Sequence, residues 1–144
     1  MSADLKVFLS REQRWSPAQW QKQITDLGYP LSIDTDFDRE SYSGFLPCRL
    51  HSEEIGFEYG FDPLEDTMFA PSIVPEIARD IGERDVCVSF SMQSNTPGEL
   101  TAGVMAAAAL AKLCNGIAWD GDFVKRDPVE WAAELIREYG HEAK

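Results

Sequence analysis

Carboxylates are the side chains of this chain with the clearest capacity for chemistry. Most of the excess of acidic over basic residues lies in one stretch. Residues 34–66 contain ten acidic and two basic residues and carry a net charge of −8, against −12 for all 144 residues. Paired carboxylates can act as general acid and base, and several together can bind a metal ion. A field of one sign can instead steer a basic partner. We interpret the stretch as a surface that binds a basic protein, with these partner-binding residues: Asp34, Asp36, Asp38, Tyr42, Glu53, Glu58, Asp62, Glu65 and Asp66.

The three aspartates at residues 34–38 are spaced like the first ligands of a calcium-binding loop. Such a loop needs Gly at its sixth position and Glu at its twelfth, where this chain has Arg39 and Phe45. The calcium motif therefore fails. The alternation instead predicts a half-buried strand over residues 31–37 whose solvent face carries the aspartates. Like charges side by side on a strand repel each other, which favours a basic partner for that face.

Four aromatic residues are predicted in loops or at the ends of elements: Trp15, Tyr29, Tyr42 and Phe69. Tyr42 lies next to the acidic strand, and an aromatic side chain among carboxylates can anchor a protein interface. The alternative is that these aromatic side chains close the ends of the hydrophobic core.

Histidines and cysteines are few and are not arranged as ligands. The histidines are His51 and His141, and the cysteines Cys48, Cys87 and Cys114 have no CxxC spacing. Three cysteines without that spacing indicate free thiols in a reducing compartment, so we predict a cytoplasmic protein. We expect all three to be buried structural residues; the alternative is a Cys–His nucleophile pair that uses His51.

Composition and motifs exclude several classes of function. Nucleic acid is disfavoured as a partner because phosphate binding needs clustered Lys and Arg. No apolar run reaches the roughly 18 residues of a membrane span, and the N-terminus lacks the pattern of a signal peptide. The sequence contains none of the GxSxG, HExxH, GxGxxG or P-loop motifs. We therefore predict no enzymatic activity, no cofactor, no metal site and no membrane partner.

Helices are predicted from their capping signals. Residues 16–19, 96–99 and 127–130 each place a capping residue before Pro at the first helical position, with Gln or Glu two residues after the proline. Residues 96–120 form the predicted packing centre, an alanine-rich helix that ends at Asn115 and leads into a strand. A shorter helix is predicted over residues 73–81, capped by Ser72.

Strands are predicted over residues 5–9, 31–37, 45–50, 55–61, 86–91 and 116–119. Residues 55–61 alternate strictly, with apolar side chains on one face and glycines that leave the other face thin enough for a close approach. The order β-α-β-β-β-α-β-α-β-α predicts an α+β protein, a single-domain α/β sandwich whose mixed sheet is antiparallel at its centre. We predict one globular domain over residues 1–140 and a disordered tail over residues 141–144.

The segments SGFLPCRL, EIGFEYGFDPLED and ELTAGVMAAAALAKLCNGIAWD resemble a group of small, acidic, largely uncharacterised bacterial α/β proteins. Some of these proteins are similar to the cognate immunity proteins of bacterial toxins. The resemblance implies a bacterial, non-enzymatic protein that occludes a basic toxin, and it assigns no catalytic residue. The alternatives are a metal-dependent enzyme that uses the carboxylates of residues 62–66 or 120–122, and a structural domain that oligomerises through a sheet edge near Pro47.

Overall fold

The fold consists of a six-stranded sheet with three helices packed on one face. The computed structural model describes residues 2–93, 96 and 98–139. The elements are β1 (Ser2–Leu9), α1 (Pro17–Asp26), β2 (Leu31–Ile33), β3 (Gly44–Leu50), β4 (Glu53–Pro63), a 3-10 turn (Leu64–Asp66), α2 (Ile77–Ile81), β5 (Val86–Gln93), α3 (Glu99–Cys114), β6 (Ile117–Trp119) and α4 (Pro128–Tyr139). The predicted order and the single-domain α+β class are confirmed. The predicted boundary at residue 140 and the tail 141–144 lie outside the described residues.

The strand order across the sheet is β2-β3-β4-β5-β1-β6, and each of these five pairings is antiparallel. We predicted a mixed sheet, whereas all five of these pairings are antiparallel. β5 and β6 do run in the same direction, but β1 lies between them and pairs with both. Val7 of β1 is opposite Val88 of β5 on one side and Ala118 of β6 on the other. The apolar first strand therefore lies between β5 and β6.

Helix α3 is the centre of the core, as predicted. Thirteen of its sixteen residues are buried, and most of them are Ala, Gly or Val. At Gly103 an added Cβ would lie 2.5 Å from Sδ of the buried Met92, so only Gly allows this approach of the helix to the sheet. The helix ends where predicted, at Asn115, whose φ of +51° and ψ of +43° place it in the left-handed region.

Two of the four predicted caps are present, at Ser16 and Asp127. At α1 the Gln19 amide donates to Ser16 Oγ (3.1 Å), and the Ser16 amide donates to Gln19 Oε1 (2.8 Å). At α4 Asp127 Oδ1 accepts hydrogen bonds from the amides of Val129 (2.7 Å) and Glu130 (3.3 Å). Both caps satisfy amides that have no partner within the helix.

The capping box predicted at Thr96 is wrong. Helix α3 begins at Glu99, after Gly98, whose φ of +83° suits glycine. The Glu99 carboxylate does not reach back to Thr96; it accepts a hydrogen bond from the Gln93 amide (2.9 Å) and so ties the helix to the end of β5. Pro97, predicted at the first helical position, lies outside the described residues.

The helix predicted over residues 73–81 is shorter than expected, because α2 spans only Ile77–Ile81. A proline disfavours helical backbone at the residue before it, so Pro75 delays the helix. Ser72, predicted to cap it, instead donates its hydroxyl hydrogen to Glu65 Oε2 (2.6 Å).

The two faces of the sheet are covered differently. Helices α1, α3 and α4 pack on the first face, which holds the large hydrophobic cluster. On the second face a smaller cluster covers only one end, where Phe69 and Ile81 pack against Phe8 and Cys87. Over the remainder of the second face lies no helix of residues 2–93, 96 and 98–139. No helix within the described parts of the chain is long and apolar enough to cross a membrane.

The contact between α3 and the sheet predicts an unusual response to a helix-favouring substitution. Alanine favours an exposed helix by about 1 kcal/mol over glycine, yet Gly103→Ala should destabilise the protein by about 1–3 kcal/mol because its methyl group overlaps Met92. In urea unfolding, the double variant Gly103→Ala/Met92→Val should lose less than the sum of the two single losses. A stabilised Gly103→Ala variant would contradict this packing.

Candidate partner-binding surface

The three aspartates at the start of the acidic stretch do not lie on a strand. β2 ends at Ile33, so the strand predicted over residues 31–37 is wrong beyond that point. Asp34 Oδ1 accepts a hydrogen bond from the Asp36 amide (2.9 Å). Asp38 Oδ1 accepts from the amides of residues 40 (2.9 Å) and 41 (3.0 Å). Short polar side chains that bind their own backbone in this way form turns in place of strands.

These hydrogen bonds also account for the acidity of Asp38. Its bonds from the amides of Ser41 and Glu40 stabilise the charged form and lower its pKa below the usual value. The carboxylate therefore stays ionised at neutral pH, and one of its oxygens holds the turn of the loop over residues 34–43.

The loop over residues 34–43 is fixed to the helix-covered side of the sheet. The Arg39 guanidinium lies over the rings of Trp15 and Phe61, each at 5.6 Å. Glu40 bridges Arg39 (3.0 Å) and Arg11 (2.6 Å). The hydrogen bond from Arg11, the closer of the two, lowers the pKa of Glu40.

Tyr42, predicted as an interface anchor, is half-buried and takes the alternative role of closing the core. Its ring packs against Phe37 (5.5 Å between centroids) and Tyr59 (6.2 Å). Its hydroxyl donates to the carbonyl oxygen of Phe45. Both the ring and the hydroxyl therefore serve the fold.

The strand β4 separates the other predicted carboxylates. Successive side chains of a strand point to opposite faces. Glu58 and Asp62 belong to the second face, whereas Glu53 has the orientation of the buried Phe57 and lies at the exposed end of the strand. Glu65 and Asp66 are exposed in the 3-10 turn that follows β4. The predicted set is thus divided between two sides of the sheet.

Strand register defines the uncovered part of the second face, which we call the open face. Residues directly opposite each other in neighbouring strands share a face, and this relation connects β2, β3, β4, β5 and β1. The open face consists of Asp4, Lys6, Ser32, Phe45, Pro47, Arg49, Glu54, Gly56, Glu58, Gly60, Asp62, Ser89 and Ser91. Of the predicted partner-binding residues, Glu58 and Asp62 belong to it, and Asp34 lines a groove beside it.

Phe45 is the apolar centre of the open face, and the sequence reasoning missed it. Its side chain is 49% exposed. Its ring crosses Gly56 on the neighbouring strand, where an added Cβ would overlap it. A groove of about 530 Å³ runs beside the ring and is lined in part by Asp34, Arg49 and Glu54. The glycine in strand β4 was the signal for this close approach.

The rest of the open face is polar. Gly60 lies opposite Ser89, which in turn lies opposite Lys6. Lys6 Nζ donates to Ser89 Oγ (3.1 Å). Glu58 and Asp62 flank this row, and within residues 2–93, 96 and 98–139 neither makes an ion pair. An exposed polar surface with these two carboxylates suits contact with a basic partner.

The sheet edge beside Pro47 is occupied by the chain itself. The Asp34 amide donates to the Pro47 carbonyl oxygen (2.9 Å). On β2, which forms the outer edge, the Gln21 side chain donates to the Leu31 carbonyl (3.0 Å) and accepts from the Ile33 amide (2.6 Å). Gln21 thus makes the hydrogen bonds that an added strand would need. This geometry disfavours oligomerisation through that edge.

The carboxylates considered for metal binding are dispersed. Among the described residues no group of three or more His, Cys, Asp or Glu side chains could hold a metal ion. Asp120 accepts hydrogen bonds from Trp131 Nε1 (2.8 Å) and from the Asp122 amide (3.3 Å). It therefore fastens the loop after β6 to helix α4.

The thiols are poor candidates for nucleophiles. Cys48, Cys87 and Cys114 are free and buried. Burial raises the pKa of Cys48 and Cys114 to about 12 and that of Cys87 to about 11. Since the thiolate is the nucleophile, these groups are protonated and unreactive at neutral pH. His51 is exposed in the turn between β3 and β4.

Comparison of the chain with protein-family models, with curated protein sequences and with solved structures finds no significant match to any of them.

The burial of the thiols can be checked with a thiol reagent. At pH 7.5 the folded protein should release almost no chromophore from Ellman's reagent within minutes, whereas the protein in guanidinium chloride should titrate as three thiols. Rapid reaction of one thiol in the folded state would contradict the assigned burial and restore that cysteine as a candidate nucleophile.

Proposed function

We propose that this protein is a non-enzymatic binding module that holds a basic partner protein against its open face. The observation that carries the proposal is an exposed aromatic ring beside carboxylates that make no ion pair with the described residues, on the part of the sheet that the described helices leave uncovered. Phe45 supplies the apolar anchor, and Glu58 and Asp62 supply the charge. Interface energy concentrates on a few such anchors surrounded by polar residues.

The distribution of charge supports a basic partner. The chain carries −12 overall and −8 within residues 34–66. The carboxylates outside the open face, such as Asp36 and Glu53, contribute to the long-range field even though they do not lie at the proposed contact. Such a field accelerates association with a cation-rich surface, and salt screens it.

Within this function, we propose that the protein is a bacterial immunity protein and that its basic partner is a toxin, which it occludes. The resemblance of three segments to small acidic bacterial proteins, some of which are similar to immunity proteins, and the acidity of the chain support this assignment. A cytoplasmic setting agrees with the three free thiols, which a reducing compartment preserves.

Two double variants of equal charge test which surface binds the partner. Glu58→Lys/Asp62→Lys reverses two charges on the open face, and Asp36→Lys/Glu53→Lys reverses two exposed charges elsewhere in the acidic stretch. We expect the first variant to weaken binding of the basic protein, captured with the wild-type chain from the source organism, by about 100-fold, and the second by less than about fivefold. Binding is measured by surface plasmon resonance at two salt concentrations.

Circular dichroism should show that both variants fold, because all four side chains are exposed. If the second variant lost as much affinity as the first, total charge alone would control binding and the open face would not be the contact. If only the second lost affinity, the partner would bind the loop over residues 34–43 and the adjoining hairpin.

A further inference from the structure

A second cavity, distinct from the groove beside Phe45, is lined by basic residues. It has a volume of about 480 Å³ and is located where the end of α3, strand β6 and the start of α4 meet. Four of the thirteen basic residues of the chain line it: Arg79, Lys112, Lys125 and Arg126. In a protein with 25 acidic residues, this convergence of cations on one concavity is what recognition of a multivalent anion requires.

Two of the four cations are engaged by carboxylates. Lys125 Nζ lies 2.5 Å from Asp80 Oδ1, and Arg126 Nη1 lies 2.7 Å from Glu134 Oε1. These pairs fix the positions of the two side chains at the rim, while much of each cationic side chain is still solvent-exposed (71% for Lys125, 47% for Arg126).

The other two cations are held less closely: Lys112 has one distant carboxylate, and Arg79 has no ion pair among the described residues. Lys112 Nζ is 3.9 Å from Asp127 Oδ2, too far for a hydrogen bond. Arg79 makes no ion pair within residues 2–93, 96 and 98–139. Lys112 lies on α3 and Arg79 on α2, so a ligand would be held from two elements of the fold.

The charge and volume of the cavity indicate the class of ligand. Asp80 and Asp127 also line it and Glu134 pairs with Arg126, so four cations against three carboxylates leave a net charge of +1, which favours an anion. A phosphate group is an anion with several acceptor oxygens for Lys and Arg. The volume exceeds that of one phosphate group, and apolar side chains such as Ile117 and Val124 form part of the wall.

From this arrangement we propose that the cavity binds a soluble, phosphate-bearing small molecule, with Arg79 and Lys112 as its main cationic contacts. The site shares no residue with the open face, so it is independent of the proposed binding of a basic protein. General attraction of anions to a protein of net charge −12 is unfavourable, so anion binding here has to be local.

The test is a titration of the isotope-labelled protein with inorganic pyrophosphate, followed in amide NMR spectra at constant ionic strength. We expect saturable shifts confined to the cavity lining, including the amides of Gly116, Ala118 and Val124. The variant Arg79→Gln/Lys112→Gln should raise the dissociation constant about tenfold or more. The control Arg14→Gln/Lys22→Gln removes the same charge from outside the cavity and should leave the dissociation constant unchanged.

Shifts that do not saturate, shifts outside the cavity, or equal weakening in the two variants would overturn the proposal. The amide spectra themselves report whether each variant folds. Arg79 and Lys112 are exposed, and the single variants Arg79→Gln and Lys112→Gln repeat the comparison if the double variant is unfolded.

Discussion

The close contact between helix α3 and the sheet is the constraint on which the rest of the structure depends. Small side chains line this helix, and Gly103 lets it lie directly on Met92. Trp20 of α1 is held to α3 by its indole nitrogen, which donates to the Ala106 carbonyl (2.9 Å), and Trp131 of α4 is buried in the same cluster. Helices α1, α3 and α4 therefore all pack on one face of the sheet. Among the described residues, α2 and the segment around Phe69 pack on the other face, at one end.

The parts of the fold that could be predicted are those encoded by local signals. The order of elements, the capping box at Ser16, the alternation of residues 55–61 and the helix end at Asn115 each depend on a few neighbouring residues. The strand over residues 31–37 failed because alternating aspartates also suit a loop in which they bind their own backbone. The Thr96 box failed because Glu99 had a more distant partner, the Gln93 amide.

The candidate site was predicted less well, because neighbouring residues in the sequence can lie on opposite faces of the sheet. Strand alternation alone could have separated Glu53 from Glu58 and Asp62. The position of Phe45 over Gly56 depends on the register of β3 against β4, which no single segment reveals. The acidic stretch therefore divides into a loop that closes the core and an open face on which Glu58 and Asp62 make no ion pair with the described residues. On this account charge guides a partner while the open face holds it.

Carbodiimide labelling of carboxylates, read by mass spectrometry, tests most directly whether the partner covers the open face. In the free protein the exposed carboxylates on both sides of the sheet should be modified. In the complex, our account predicts that Glu54, Glu58 and Asp62 become protected while Asp36 and Glu53 remain reactive. Protection of Asp36 and Glu53 with unchanged labelling of Glu58 and Asp62 would contradict it.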